Sequence, residues 1–358
     1  MTIVMNLLSL LFSTAVVYSN QSTVPLRSFK MSENVTYDCV DIYKQPGLNH
    51  HLLKTHKIQV KPSVSRPELK MQTGNNETSN KKKIRCPNGT VPILRNTKEF
   101  IKNSQFFAKK HIHPLTVDSP GTHIAGVRSN GGPFRGVEAK FNGYTLNVGN
   151  DQASYSQMYI GGGLKDEVNF ISAGWMINPG LFGDGRVWTF GFWKGKDGKG
   201  CYNTACSGFI QVSKVVPILW YSIHKDKNTG NWWITRLMKD EPNEDIGYWP
   251  KELFNLLDNG ANMTGVGGVV QASRSGSGPP MGNGNFPNGN HEDSATFTNI
   301  KVLNSNYEQS QMNSFPIDKL VDSDKCYGLK IGSLLPFYRL RFGFFFNYGG
   351  PGGNSCGV

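Results

Sequence analysis

The chain has 358 residues, a formal net charge of +12, 41 glycines and six cysteines, and 18% of its residues are charged. That length allows one large domain or two ordinary ones. No apolar run beyond the N-terminus approaches the ~20 residues needed to cross a bilayer, which excludes a multi-span membrane protein. An apolar fraction of 38%, with 21 Phe, 13 Tyr and 7 Trp, excludes wholesale disorder. Residues 1–115 hold 17 Lys and Arg against six acids, so nearly all the surplus charge lies there, whereas only three glycines do. Nucleic-acid binding is not indicated, because that basic stretch lacks interleaved aromatic residues for stacking and the remainder is nearly neutral.

In chain order, Met1–Ser19 reads as a signal peptide with an apolar h-region, cleaved after Ser19 where Val17 and Ser19 supply the small residues. Asn-X-Ser/Thr sequons follow at Asn20, Asn34, Asn76, Asn88 and Asn262, agreeing with a secretory route. Residues 20–115 read as a small accessory region. It has a short helix over 48–56, a polar linker over 72–83 and a second helix over 97–110. Lys81-Lys82-Lys83 reads as a solvated loop. From about residue 120 the pattern becomes strand-rich. Val137, Ala139 and Phe141 alternate with polar neighbours, the period of a half-buried strand. Further strands are expected over 171–177, 187–193, 208–212, 218–224, 232–237, 265–272, 295–303 and 342–348, separated by Gly, Asn and Asp clusters. One helix is expected after Pro250, with Leu253, Phe254, Leu256 and Leu257 as its apolar residues and Gly260 as its stop. The fold class is therefore all-β, an antiparallel sandwich of jelly-roll type over residues 116–358, preceded by a small α+β segment.

The six cysteines lack zinc-site spacing and read as three disulfides, assigned within each region as Cys39–Cys86, Cys201–Cys206 and Cys326–Cys356. His50, His51 and His56, like His111 and His113, form no familiar ligand spacing, so no metal is expected. Gly161-Gly-Gly163 and the run over 265–289 lack a phosphate-loop lysine and read as turns and close backbone approaches, so no cofactor is expected.

The stretch Asn169-Phe-Ile-Ser-Ala-Gly-Trp-Met-Ile-Asn-Pro-Gly-Leu-Phe-Gly-Asp184 resembles a signature of the neprosin family, secreted plant glutamic endopeptidases. Gly200-Cys-Tyr-Asn-Thr-Ala-Cys-Ser-Gly-Phe-Ile-Gln211, Thr229-Gly-Asn-Trp-Trp233, Ile246–Phe254 and the Tyr-Gly-Gly-Pro-Gly-Gly-Asn tail match in the same order. Asp38–Pro46 and Arg85–Pro92 are similar to the family's activation peptide. The resemblance implies a prosegment over 20–115 and a β-sandwich peptidase domain in which two glutamates cleave peptides, preferentially at proline. One carboxylate activates water and one protonated carboxyl assists at the carbonyl or leaving group. Here the first glutamate position, before Ala-Gly-Trp, is Ser172. The second, in Val266-Gly-Gly-Val-Val270, is Val269.

Neither residue can do carboxyl chemistry, so the expectation is an inactive homologue. It would be secreted to the apoplast or a vacuole and would bind a peptide or cell-wall ligand in a retained groove. Trp175, Trp193, Trp232, Trp233 and Gln271 are candidate groove residues, with Trp188 a further tryptophan of the same kind. An acid endopeptidase using relocated carboxylates, with Glu138, Glu167 or Glu292 as the acids, is the alternative. A carbohydrate-binding or structural wall module is a third reading.

Overall fold

The computed structural model describes residues 25–33, 35–64, 85–111, 121–164, 167–215, 221–238, 242–289, 293–332 and 340–356. The leader, Asn20, Asn34, Asn76 and Glu292 lie outside the described residues. Three strands come first, β1 (Arg27–Ser32), β2 (Val35–Asp41) and β3 (Thr90–Leu94), then the helix α1 (Lys98–His111). The next are β4 (Thr122–Ser129), β5 (Gly136–Phe141), β6 (Ala153–Leu164), β7 (Glu167–Ile177), the short helix α2 (Pro179–Phe182), β8 (Trp188–Lys194) and β9 (Gly200–Tyr202). Then follow β10 (Ile210–Gln211), β11 (Tyr221–Lys225), β12 (Trp232–Arg236), β13 (Glu244–Trp249) and β14 (Met263–Gln271). The last are β15 (Ala295–Leu303), β16 (Gln309–Gln311), β17 (Asp318–Val321), β18 (Gly328–Ile331) and β19 (Phe346–Gly349). Among the described residues no helix is long and apolar enough to cross a membrane.

Two sheets make an antiparallel sandwich. One runs β17-β4-β14-β6-β7-β8-β9, and the other β10-β13-β12-β11-β5-β15-β19-β18 with β16 beside β15. Side chains alternate faces along a strand, so register assigns every residue to one side of its sheet. The first sheet turns Ser156, Gly268 and Gly191 inward: Ser156 Oγ lies 2.6 Å from the Tyr348 hydroxyl of β19. A Cβ on Gly268 would strike the Tyr348 ring, and one on Gly191 would meet the Trp249 ring. Glycine at these positions lets the aromatic side chains of the opposite sheet close onto the backbone. The other face of the first sheet carries Ser172 and Val269 and looks outward.

The segment before residue 116 is a three-stranded sheet, β1-β2-β3, with turns and α1. Thr97 Oγ1 accepts from Phe100 N and caps α1, while Lys109 and Lys110 suit the negative end of its dipole. Phe100, Ser104, Phe107, Ala108 and His111 are its buried residues, a single helical stripe, and Phe100 and Phe107 belong to the sandwich's own core. Polar clasps hold the rest of the segment. Gln45 and Gln211 exchange two bonds of 2.8 and 3.0 Å, and Gly208 N donates to Gly47 O at 2.9 Å. Farther on, Asp226 accepts from the Ser63 backbone N–H and from Ser63 Oγ. The sulfurs pair as Cys39–Cys86, Cys201–Cys206 and Cys326–Cys356.

Three local expectations need correction. The helix after Pro250 is only a 3-10 turn, Lys251–Leu253. Its onward amides are captured instead: Asn255 N and Leu256 N both donate to Asn169 Oδ1 at 2.8 Å, and Leu253 O accepts from Lys196 N. The helix expected over 48–56 is likewise broken into the 3-10 turns Pro46–Asn49 and His51–Leu53. Gly161-Gly-Gly163 is not a turn but the end of β6, where Gly162 passes under the Leu256 carbonyl too closely for a side chain.

Candidate functional site

Register places Ser172 and Val269, the two residues that the resemblance sets at the glutamate positions, on one outward face. Ser172 pairs with Tyr159 of β6, which pairs with Gly265 of β14; Met176 pairs with Tyr155, which pairs with Val269. Tyr155 and Tyr159 are four residues apart and so share a face. The two positions are thus two strands and four residues apart, roughly 10 Å across the sheet and 13 Å along it. Gln157 stands midway between the two rows on the same face, paired with Gly174 and Gly267. Acids extended from residues 172 and 269 would converge above Gln157.

That space is filled by His111 from the end of α1. Its Nε2 lies 3.0 Å from Gln157 Oε1 and 3.0 Å from Ser172 Oγ, and its Nδ1 lies 2.8 Å from the Tyr202 hydroxyl of β9. The imidazole stacks on Tyr155, the cross-strand neighbour of Val269, at 5.1 Å between ring centres, and Phe192 covers it at 4.2 Å. Phe170 and Phe190 close the edges. The ring is fully buried, and burial drives its pKa down from 6.5 to about 3, only partly offset by the Gln157 acceptor. His111 is therefore neutral across the ordinary pH range.

With the Gln157 carbonyl oxygen accepting, the imidazole proton sits on Nε2 and the Tyr202 hydroxyl donates to Nδ1. Ser172 Oγ then faces an N–H rather than a lone pair, so this serine–histidine contact does not activate a nucleophile. Burial also holds the Tyr202 and Tyr155 hydroxyls above their usual range. The chamber is a neutral, hydrogen-bonded plug.

The described candidates for substitute acids, Glu138 and Glu167, lie elsewhere. Glu138 is buried on β5 of the opposite sheet, where Gln309 Nε2 donates to it at 3.0 Å. Glu167, exposed at the start of β7, has the opposite parity to Ser172 and turns to the other face. Two acids that sequence reading passed over are on or beside β17. Asp318 stands in Ser172's row but four strands away, roughly 19 Å, and pairs with Arg128 at 3.4 Å. Asp322 lies beside Ile124, about two strands from Val269, and its Oδ1 accepts from Ile124 N at 3.0 Å. No pair of these acids converges on the chamber.

Of the groove candidates, Trp175, Trp193, Trp232 and Trp233 are core residues, each at most 2% exposed. Trp175 and Trp193 sit on the inward face of their strands, and Trp233 stacks on Tyr248 at 4.7 Å. Gln271 lies two residues beyond Val269 on the outward face, 6% exposed. Trp188 is different: it is half-buried, stacks on Phe182, and borders a cavity of about 750 Å³ between the first-sheet edge, the second sheet and the β1-β2-β3 sheet. Tyr37, Leu94, Phe190, Tyr221 and Trp249 form other parts of its wall. Trp249 Nε1 is buried without a hydrogen-bond partner.

His111, Gln157 and Tyr202 were missed by sequence reading. The signal for His111 was its place in the stripe 100, 104, 107, 108, 111, which marks it as a core residue of α1.

The chain is similar to solved structures at low identity. The chain is similar to scytalido-glutamic peptidase with a peptide-based transition-state analog, at 13% identity and a TM-score of 0.36, covering 65% of this chain and 99% of that one. It is also similar to SCP-B, a member of the eqolisin family of peptidases, in a complex with the tripeptide Ala-Ile-His. There the identity is 11% and the TM-score 0.34, with the same coverage of both chains. The family model for the neprosin activation peptide matches residues 28–122, the β1-β2-β3 sheet and α1. The neprosin family model matches residues 150–351, more than half of the chain and nearly all of the sandwich, and the chain belongs to the neprosin family.

Proposed function

We propose that this protein is a catalytically inactive member of the family that retains a groove for a peptide or cell-wall ligand. The observation that carries this reading is the neutral chamber: Ser172 and Val269 at the carboxyl positions, with His111 hydrogen-bonded between them. Neither residue can shuttle a proton at a carboxyl's pKa, and site chemistry rather than fold decides activity. The cavity beside Trp188, aromatic-walled and with the unpartnered indole N–H of Trp249 in its lining, is the place for a non-covalent ligand. The disulfides and the activation-peptide match fit a secreted protein, with its leader removed after Ser19, and Asn88 and Asn262 are exposed and open to glycosylation.

The test is hydrolysis of a proline-containing quenched fluorescent peptide between roughly pH 2.5 and 6, where a carboxyl pair can share a proton. The natural protein is compared with a Ser172→Glu/Val269→Glu variant, each before and after removal of residues up to 115. No turnover is expected from the natural protein in either form. Turnover by the double variant after removal of the segment would show a groove that lost only its chemistry. Turnover by the natural protein would overturn the proposal and turn attention to Asp318 and Asp322.

A further inference from the structure

Away from the chamber, the turn after Asn49 brings His50 and His51 against the β8–β9 turn, where Asp197 stands. One potential ligand atom from each of the three residues lies within 4.8 Å of the others. His50 Nε2 is 3.7 Å from Asp197 Oδ2, and the two imidazoles stack with centres 4.6 Å apart. The His50 ring is buried edge-on to Trp193, which fixes its plane, and Asp197 Oδ1 is engaged by Lys199 N at 3.1 Å, which leaves Oδ2 aimed at the histidine. His51 is exposed, so the cluster has an open side.

We propose that His50, His51 and Asp197 form a binding site for one divalent transition-metal ion of borderline softness, zinc above all. Two imidazole nitrogens and one carboxylate oxygen, with water on the open side, make a four-coordinate site that suits zinc and not the hard, oxygen-seeking magnesium or calcium. Tetrahedral ligands at zinc distances stand about 3.4 Å apart. The pair already at 3.7 Å needs almost no movement, and the widest separation, up to 4.8 Å, must close by as much as about 1.4 Å. Leu52 N donates to His50 Nδ1 at 3.3 Å, so the proton rests on Nε2. Binding displaces it to Nδ1 and gives up that long contact. Lys196 and Lys199 flank Asp197 and oppose a cation, which weakens the affinity relative to that of a closed structural site. Such an ion would clamp the first segment to the sandwich, since two ligands come from one and the third from the other. The site does not depend on whether the chamber is catalytic.

The experiment uses the tag-free full chain, with zinc chloride titrated by calorimetry and by thermal unfolding, and magnesium chloride as control. His51→Ala and Asp197→Asn remove ligands that are exposed or half-buried, and their melting without metal reports whether they fold as the parent does. One zinc per chain, a raised melting temperature, at least tenfold weaker binding in both folded variants and no response to magnesium are expected. Absence of zinc binding up to millimolar concentration would overturn the proposal, as would equal affinity in the variants or an equal response to magnesium. If a variant fails to fold, His51→Gln, which keeps the bulk and removes the imidazole, decides in its place.

Discussion

His111 makes the protein's stability depend on pH in a way that one substitution isolates. In the folded chain its pKa lies at about 3, against 6.5 for an exposed imidazole. The charged form is the one that the fold disfavours, so the unfolded chain binds the proton first. This contribution is complete above pH 6.5 and is lost progressively as the pH falls through the interval down to about 3. Each pH unit within the interval is worth about 1.4 kcal/mol. Between about pH 7.5 and 4.5 the single imidazole therefore removes about 2.5 kcal/mol of stability, or about 4 °C in melting temperature for a chain of this size.

His111→Phe keeps a ring between Tyr155 and Phe192 but cannot titrate. At neutral pH it leaves Gln157 and the Tyr202 hydroxyl unpartnered in the core, which lowers stability by about 2–4 kcal/mol. On acidification its melting temperature is expected to fall about 4 °C less than the parent's over the same range. Thermal unfolding in matched buffers measures both curves, and carboxylates common to the two proteins cancel in the difference. Parallel curves would refute the reasoning, because they would mean that His111 is not held neutral among Gln157, Ser172 and Tyr202.

The Cys39–Cys86 bridge closes a 47-residue separation that contains the polar run before Arg85. A protease cut within that run should leave the two pieces joined, migrating as one species without reductant and as two with it. Cys39→Ser/Cys86→Ser should lower stability by about 4 kcal/mol on loop-entropy arithmetic, read by chemical denaturation. Burial raises the Asp226 pKa, but N–H and O–H donors from Ser63 and Thr229 outweigh it and keep the carboxyl below its usual range. Asp226→Ala should cost about 3 kcal/mol and expose the strap over Gln59–Ser63, which Asp226 holds through three bonds, to limited proteolysis at least tenfold faster.

Periodicity and turn chemistry made much of the sandwich legible. Val137, Ala139 and Phe141 are buried on β5, and the strand expected over 295–303 is β15 residue for residue. What failed was decided by distant partners. Asn169 on β7 takes the amides that a helix after Pro250 would have used, and nothing near Pro250 announces this. Of the turn and close approach expected at the glycines ending β6 only the close approach holds, because it is set by Leu256, nearly a hundred residues on. Ser172 and Val269 stood out in the sequence, but the hydrogen-bond partner of Ser172, His111, did not. Only the register of β6, β7 and β14 shows that the end of α1 falls between them. The cluster of His50 and His51 with Asp197 was hidden in the same way, since its third member lies on a hairpin far along the chain.

The chamber's chemistry follows from what surrounds the imidazole. Its direct neighbours are Tyr155, Phe170, Phe190, Phe192, Tyr202, Gln157 and Ser172, and burial pushes both tyrosines upward, away from neutrality. Among these contacts His111 alone titrates between pH 3 and 7. A glutamate at 172 would put a second titrating group against the same ring and make burial of α1 a matter of charge pairing. Serine removes that cost, so the helix can stay seated with no buried charge beneath it. Acid still favours its release, because a freed imidazole gains a proton, but the dependence is limited to one proton. A measured slope of α1 undocking steeper than one proton per molecule between pH 3 and 6.5 would require a second titrating group beyond the described residues that touch the ring.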